Sequence, residues 1–519
     1  MRLTPEPLTP AQVVAVARRG ERVDVDAAAD VAMAPARRVV EEALASADVV
    51  YGVTTGFGAL ADTVVEPAQA AALQHALVRS HAAGMGPLID DEVVRAMALL
   101  RARTLASGHT GARPAVVRAL CAMLNAGLRP AVPEHGSLGA SGDLAPMAHV
   151  AVALTGEGWM RDADGRAAPA APALAAAGLE PLALEVKDGL SLLNATEGMQ
   201  ALLVLAVVDL GVLADTADVV CALSVEALLG TDRPFAEPLQ QLRPHPGQAR
   251  AAANLRAMLA GSPILASHRH SRHAVQDAYS LRCAPQVHGA ARDALDWAAL
   301  VRDRELAAAV DNPVVLPDGT VESCGNFHGE PLALVMDLLA IAGCELGTIS
   351  ERRTDRMLDP ARSHGLPPFL APQAGLNSGF MLAQYTAASM VAENRRLAVP
   401  ASADSIPTSG MQEDHVSMGW SAGIKLRRSI ANLTGILAAE ALVAAAGLEL
   451  RAASQGVPPG DRTAAVLARI REDVEPMRSD RFLAPDLAAV QRLVGSGALF
   501  AASGLSASDR QETPGGEER

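Results

Sequence analysis

"PEHGSLGASGDLAPMAHVAVALTGEG", residues 133–158, is the stretch on which the reading of this chain turns. Gly136, Gly139 and Gly142 fall close together among small residues, Asp143 follows, and an apolar run begins at once. Glycines at this density mark a backbone that needs positive φ or close approach to another group. The run after them predicts a helix entered from a tight loop, with Ser141 or Asp143 placed to cap its first turn.

The rest of the chain is helical in the same manner. Thr9-Pro10-Ala11-Gln12 fits a capping box with proline at the first helical position. Ala/Leu/Val-rich stretches at about 199–230, 330–352, 379–399 and 420–453 carry few charges, as helices buried on most sides do. Gly447 either sits inside the last of these or breaks it. Alternating patterns are scarce, and two short hairpins are expected, at "GWMRDADGRA" and "NPVVLPDGTVES", each with an Asp-Gly turn. The expectation is a mainly α fold: a core of long bundled helices with a smaller mixed N-terminal part. Its parts are residues 1–200, with the glycine-rich loop, 201–505, the helical bundle, and 506–519, a polar tail.

The 519 residues suffice for a large core, and by length alone for about two to four domains. Half are hydrophobic and 20% charged, with a net charge of -14, and no basic run of the kind that tracks phosphates appears. Nucleic-acid binding is therefore not expected. Cys121, Cys221, Cys283, Cys324 and Cys344 are odd in number, scattered and form no CxxC, which fits reduced thiols in a cytoplasmic protein. The start lacks a signal-peptide core, and the longest apolar runs meet a charge before membrane-spanning length, so no membrane partner is expected. Lysine occurs only at Lys187 and Lys425, and no phosphate-cradling loop accompanies either, which argues against pyridoxal phosphate.

Several polar clusters interrupt the apolar pattern. "YGVTTGFG" holds Tyr51, one of three tyrosines in the chain; "QDAYSLRCAPQ" puts Tyr279 and Arg282 at i, i+3; "DNPVV" and "CGNFHGEP" hold Asn312 and Phe327; "MQEDHVSMGW" holds Glu413. The spacing of His268, His270 and His273 in "SHRHSRH" is poor for zinc and reads as a solvated loop. Ser141 in "GASGD" fails the GxSxG pattern of a hydrolase elbow.

Taken in order, "YGVTTGFGAL", "LVRSHAAGMG", "GASGDLAPMAHVAVALTGEG", "DGLSLLNAT", "QDAYSLRCAPQ", "DNPVV", "GNFHGEP", "GLNSGFMLAQ" and "PASADSIPTSGMQEDHVSMGW" resemble the aromatic amino acid ammonia-lyases and aminomutases nearly end to end. The resemblance implies a carbon–nitrogen lyase whose Ala140-Ser141-Gly142 triplet cyclises and dehydrates to 4-methylideneimidazole-5-one, with neither pyridoxal phosphate nor a metal required. The residue types suit that closure. The Gly142 nitrogen must approach the Ala140 carbonyl carbon, which the absence of a Cβ at Gly142 and a lone methyl at Ala140 ease, and the Ser141 hydroxyl can leave as water. By the same resemblance Tyr51 is the base, and Arg282 grips the substrate carboxylate as a bidentate fork. Asn194 and Tyr279 stand at the reacting centre, Gln276 and Asn312 complete a polar wall, and Phe327 packs at the electrophile.

Substrate choice in such enzymes resembles a two-residue code, and here the dipeptide is Ser80-His81, as in the histidine-specific members. His81 and Glu413 suit an imidazole, which donates and accepts hydrogen bonds. The expected reaction is elimination of ammonia from L-histidine to give trans-urocanate. The alternative is tyrosine or phenylalanine as substrate, for a lyase or a 2,3-aminomutase, and Thr54 in "YGVTTGFG" is common in those. The resemblance also implies a homotetramer with shared sites.

Overall fold

The first helix starts as its sequence requires. Thr9 Oγ1 accepts from the Gln12 N–H at 3.3 Å, the Gln12 side chain accepts from the Thr9 N–H at 2.8 Å, and Pro10 leads Pro10–Arg19. The computed structural model describes residues 1–46, 55, 65–271 and 273–506. Long helices run over Glu197–Ala227, Ala284–Ala307, Glu330–Leu358, Met381–Leu397 and Gly419–Gln455. Gly447 lies inside the last, where an added Cβ would come 3.3 Å from that of Ala227, so the glycine serves close packing rather than a break. Ala284–Ala307 escapes the sequence reading because its inward face carries His288 and Arg292 among the alanines.

The chain divides into two compact units, 1–206 with 298–337 and 400–427, and 207–297 with 338–399 and 428–519. Residues 298–337 and 400–427 thus return to the first unit after the chain has entered the second. Short loop-rich segments between long helices give no sequence sign of which unit they join.

All the strands among the described residues belong to the first unit, as four two-stranded ribbons. Two are the expected hairpins: Trp159–Arg161 with Ala167–Pro169, and Val314–Val315 with Val321–Glu322. Their turns carry Gly165 and Gly319 at φ of +79° and +87°. The helix Leu144–Leu154, buried along nearly its whole length, packs against Ala70–His81 and Asp188–Leu193.

In the second unit the interior is partly ionic. Arg353 forms a two-pronged ion pair with Glu440; Arg292 bridges Asp215 and Asp218; and His288 Nδ1 lies 2.7 Å from Asp218 Oδ1. The carboxylate can only accept, so Nδ1 carries the proton, and burial keeps the ring neutral by pulling its pKa down.

Glu330–Leu358 and Gly419–Gln455 each contain an 18-residue window with at most two charges, a longer apolar run than the sequence reading credits. The protein buries 67% and 83% of those windows, the mark of core helices.

Candidate active site

Gly139 and Gly142 adopt φ of +66° and +78°, the left-handed region that side chains resist. At Gly142 space is the stricter demand: a Cβ would stand 2.1 Å from the Ala195 carbonyl oxygen and 2.9 Å from its nitrogen. The loop is lashed in place by its neighbours. Asp143 N–H donates to the Ala195 carbonyl at 2.6 Å, Met418 N–H to Leu138 at 2.8 Å, and Gly329 N–H and Ser417 Oγ to Gly139 at 3.1 and 2.8 Å. The Trp420 indole donates to the Glu134 carbonyl at 2.6 Å.

Asp143 occupies the cap position of Leu144–Leu154 without capping it. Its buried carboxylate instead accepts from Ser137 Oγ at 3.0 Å and the Met199 N–H at 2.8 Å. Burial pushes its carboxyl up to about 7, against those hydrogen bonds and helped by the charge of Glu197.

Ser141 Oγ donates to Glu413 Oε1 at 2.7 Å, and Thr408 Oγ1 holds the other Glu413 oxygen at 2.8 Å. The Ser141–Glu413 bond joins residues 272 apart in the chain. His81 ends the helix Ala70–His81; its Nδ1 lies 3.0 Å from the Leu77 carbonyl, which can only accept, so Nε2 keeps its lone pair. Burial lowers the His81 pKa, while the Leu77 bond and the charge of Glu413 oppose the fall. Ser141, Glu413 and His81 thus belong to one electrostatic neighbourhood.

Asn194 follows the short helix Asp188–Leu193, and its Nδ2 donates to the Asn312 carbonyl at 2.7 Å. Asn312 Oδ1 is already taken by Ser323 Oγ and the Cys324 N–H, both at 3.0 Å, so this side chain pins its own hairpin. Beneath the two asparagines lies a cluster that sequence reasoning missed. Lys187 Nζ donates to Asp311 Oδ2 at 2.7 Å and to Ser191 Oγ at 3.1 Å, and Asp311 Oδ1 accepts the Asn312 N–H at 2.8 Å. Arg101 meets Glu197 and the Ser191 and Val310 carbonyls. All four charged groups are buried. The only signal available was the rarity of lysine.

Phe327 is half-buried in the turn that Gly329 ties to Gly139, two residues before Ser141. Tyr51 and Thr54 lie outside the described residues.

Gln276, Tyr279 and Arg282 belong to the second unit. Arg282 stacks its guanidinium 4.5 Å from the centre of the exposed Tyr279 ring. Its Nε is buried with no hydrogen-bond partner among the described residues, an orphan donor suited to a carboxylate. Gln276 helps line a cavity of about 340 Å³ with Thr231, Arg269 and His273. His268 and His273 are more than a solvated loop: they bond the Gly230 and Leu229 carbonyls and meet edge to face at 5.3 Å.

Known proteins align with this chain along almost all of it. The family model for aromatic amino acid lyases matches residues 8–472. A histidine ammonia-lyase from Streptomyces griseus is 57% identical over 495 residues, 95% of this chain and 96% of that protein. The crystal structure of histidine ammonia-lyase from Trypanosoma cruzi superposes with a TM-score of 0.90 at 38% identity, covering 98% of this chain and 97% of that one. Tyrosine aminomutase from Streptomyces globisporus does so at 0.89 and 39%, covering 97% and 98%.

Proposed function

The chain belongs to the aromatic amino acid lyase family, and from that footing we propose that it eliminates ammonia from L-histidine to give trans-urocanate. The observation that carries the histidine reading is Glu413, a carboxylate held against Ser141 with His81 in the same electrostatic neighbourhood. An imidazole gives these acceptors an N–H to engage. A phenyl ring would leave both desolvated and unpaired, at about 1–3 kcal/mol each, which weighs against phenylalanine. The relatives named histidine ammonia-lyase support the same choice.

Ala140, Ser141 and Gly142 fit the closure their family performs, because the tight cradle at Gly142 excludes any side chain. The heterocycle formed from them supplies an electrophile that activates the substrate for loss of its amine. Loss of the Ser141 hydroxyl frees Glu413 Oε1 to accept an imidazole N–H, while Thr408 keeps the carboxylate aligned. Asn194, its Nδ2 bound to Asn312, is held in one orientation at the reacting centre. Arg282 fixes the substrate carboxylate through its unpaired face, beside Tyr279, and Tyr51 removes the β-proton.

The working unit is a homotetramer that pools residues from several copies. Leu334, Leu338 and Ile341 leave an exposed apolar stripe along Glu330–Leu358 that fits burial in such an assembly. Five free cysteines fit the cytoplasm. The test is incubation of the purified protein with histidine, tyrosine and phenylalanine separately. Urocanate from histidine, abolished in Ser141→Ala with folding intact, is the expected result. Preferential formation of a cinnamate, or of a β-amino acid, would overturn the substrate.

A further inference from the structure

Three side chains beside the proposed site have no role in the elimination as proposed above. His328 and Glu330 follow Phe327 across the turn into Glu330–Leu358, and His415 follows Glu413 by two residues. We propose that His328, Glu330 and His415 form an accessory binding site for a divalent transition-metal ion such as Zn²⁺ or Co²⁺, one that fastens together the two segments carrying Phe327 and Glu413.

Each residue offers one ligand atom, and these atoms all lie within 4.8 Å of one another. Metal bonds of about 2.0–2.2 Å place neighbouring donors roughly 3.3 Å apart in a tetrahedral site, so side-chain rotations of about 1 Å or less at each donor complete the set. The segments already meet: His328 Nε2 lies 3.3 Å from the His415 carbonyl, and the two rings stack with centroids 5.6 Å apart and planes 29° from parallel.

An independent sign comes from Glu330. Its Oε2 is buried without a hydrogen-bond partner among the described residues, a condition a carboxylate rarely tolerates. A cation relieves it, and two imidazoles beside one carboxylate favour zinc-like ions over magnesium or calcium, which prefer oxygen alone. His415 is exposed, giving an ion a way in. Three protein ligands leave at least one coordination position open. Glu413 is bonded to Ser141, so an ion here stiffens the segment that the substrate's ring would meet.

The test is titration of chelator-treated full-length protein with Co²⁺ alone, followed by visible d–d absorption, then displacement by Zn²⁺. One equivalent per chain is expected, with binding at least tenfold weaker in both His415→Ala and Glu330→Gln and unchanged in His273→Ala. A chain that takes up no stoichiometric Co²⁺, or one that binds it equally well in His415→Ala and Glu330→Gln, overturns the proposal. The readout needs no turnover, so it stands apart from the histidine reading.

Discussion

Lys187→Met keeps most of the side chain's length and removes its charge from a fully buried place. The wild-type ammonium sits 2.7 Å from Asp311 and 3.1 Å from Ser191, and burial pulls its pKa down against the Asp311 charge. In the variant Asp311 still accepts from Ser191 Oγ at 3.0 Å and the Asn312 N–H at 2.8 Å, with Arg101 3.8 Å away. These remaining partners put the loss at the low end for a broken buried pair, about 3 kcal/mol. Thermal unfolding should show it as a melting-point drop of about 3 °C. Asp311→Asn strands the ammonium instead and should lose a similar amount. The double variant removes both charges of the pair and should recover about half of the summed losses, a coupling of about 3 kcal/mol. Asp311 holds Asn312, whose carbonyl holds Asn194, so each single variant should also lower kcat. Single variants that melt within about 1 °C of wild type, or a double variant equal to their sum, would refute the reasoning.

Other perturbations test neighbouring links. Gly142→Ala drives a methyl to 2.1 Å from the Ala195 carbonyl oxygen at a φ of +78°; the loop must shift by about 1 Å to restore ordinary contact, and the chain should keep its full mass, which intact-protein mass spectrometry reads. Glu413→Gln replaces a charged acceptor, so kcat/KM for histidine should fall about tenfold to a hundredfold in a urocanate assay, and an unchanged value would remove Glu413 from ring recognition. Burial holds Asp143 and Glu305 up at about 7. The folded chain keeps those protons above roughly pH 4, where the unfolded chain sheds them. Their contribution to stability is therefore full below roughly pH 4 and lost as pH rises towards about 7, by up to about 1.4 kcal/mol per pH unit for each group. In Asp143→Asn the melting point should fall less over that window, and parallel curves would contradict the assignment.

Much of the architecture was legible because it is written locally. The capping box at Thr9, the Asp-Gly turns and the four charge-poor stretches each involve residues within a few positions of one another, and each formed. The glycine-rich loop was legible as a site of close approach, though not that its neighbour would be Ala195. What stayed hidden is long-range. Arg101 meets Val310 across 209 residues, and Lys187 meets Asp311 across 124. A buried ion pair has no period and no composition, so only the folded chain reveals that these charges neutralise one another. The return of 298–337 and 400–427 to the first unit is hidden for the same reason, as is the use of Asn312 to pin its own hairpin.

The most direct measurement is intact-protein mass spectrometry of the purified wild-type chain beside Ser141→Ala. The wild type should weigh less than its sequence by two water molecules and the variant should not. A wild-type chain of full, unmodified mass that still converts histidine to urocanate would contradict the account at its centre.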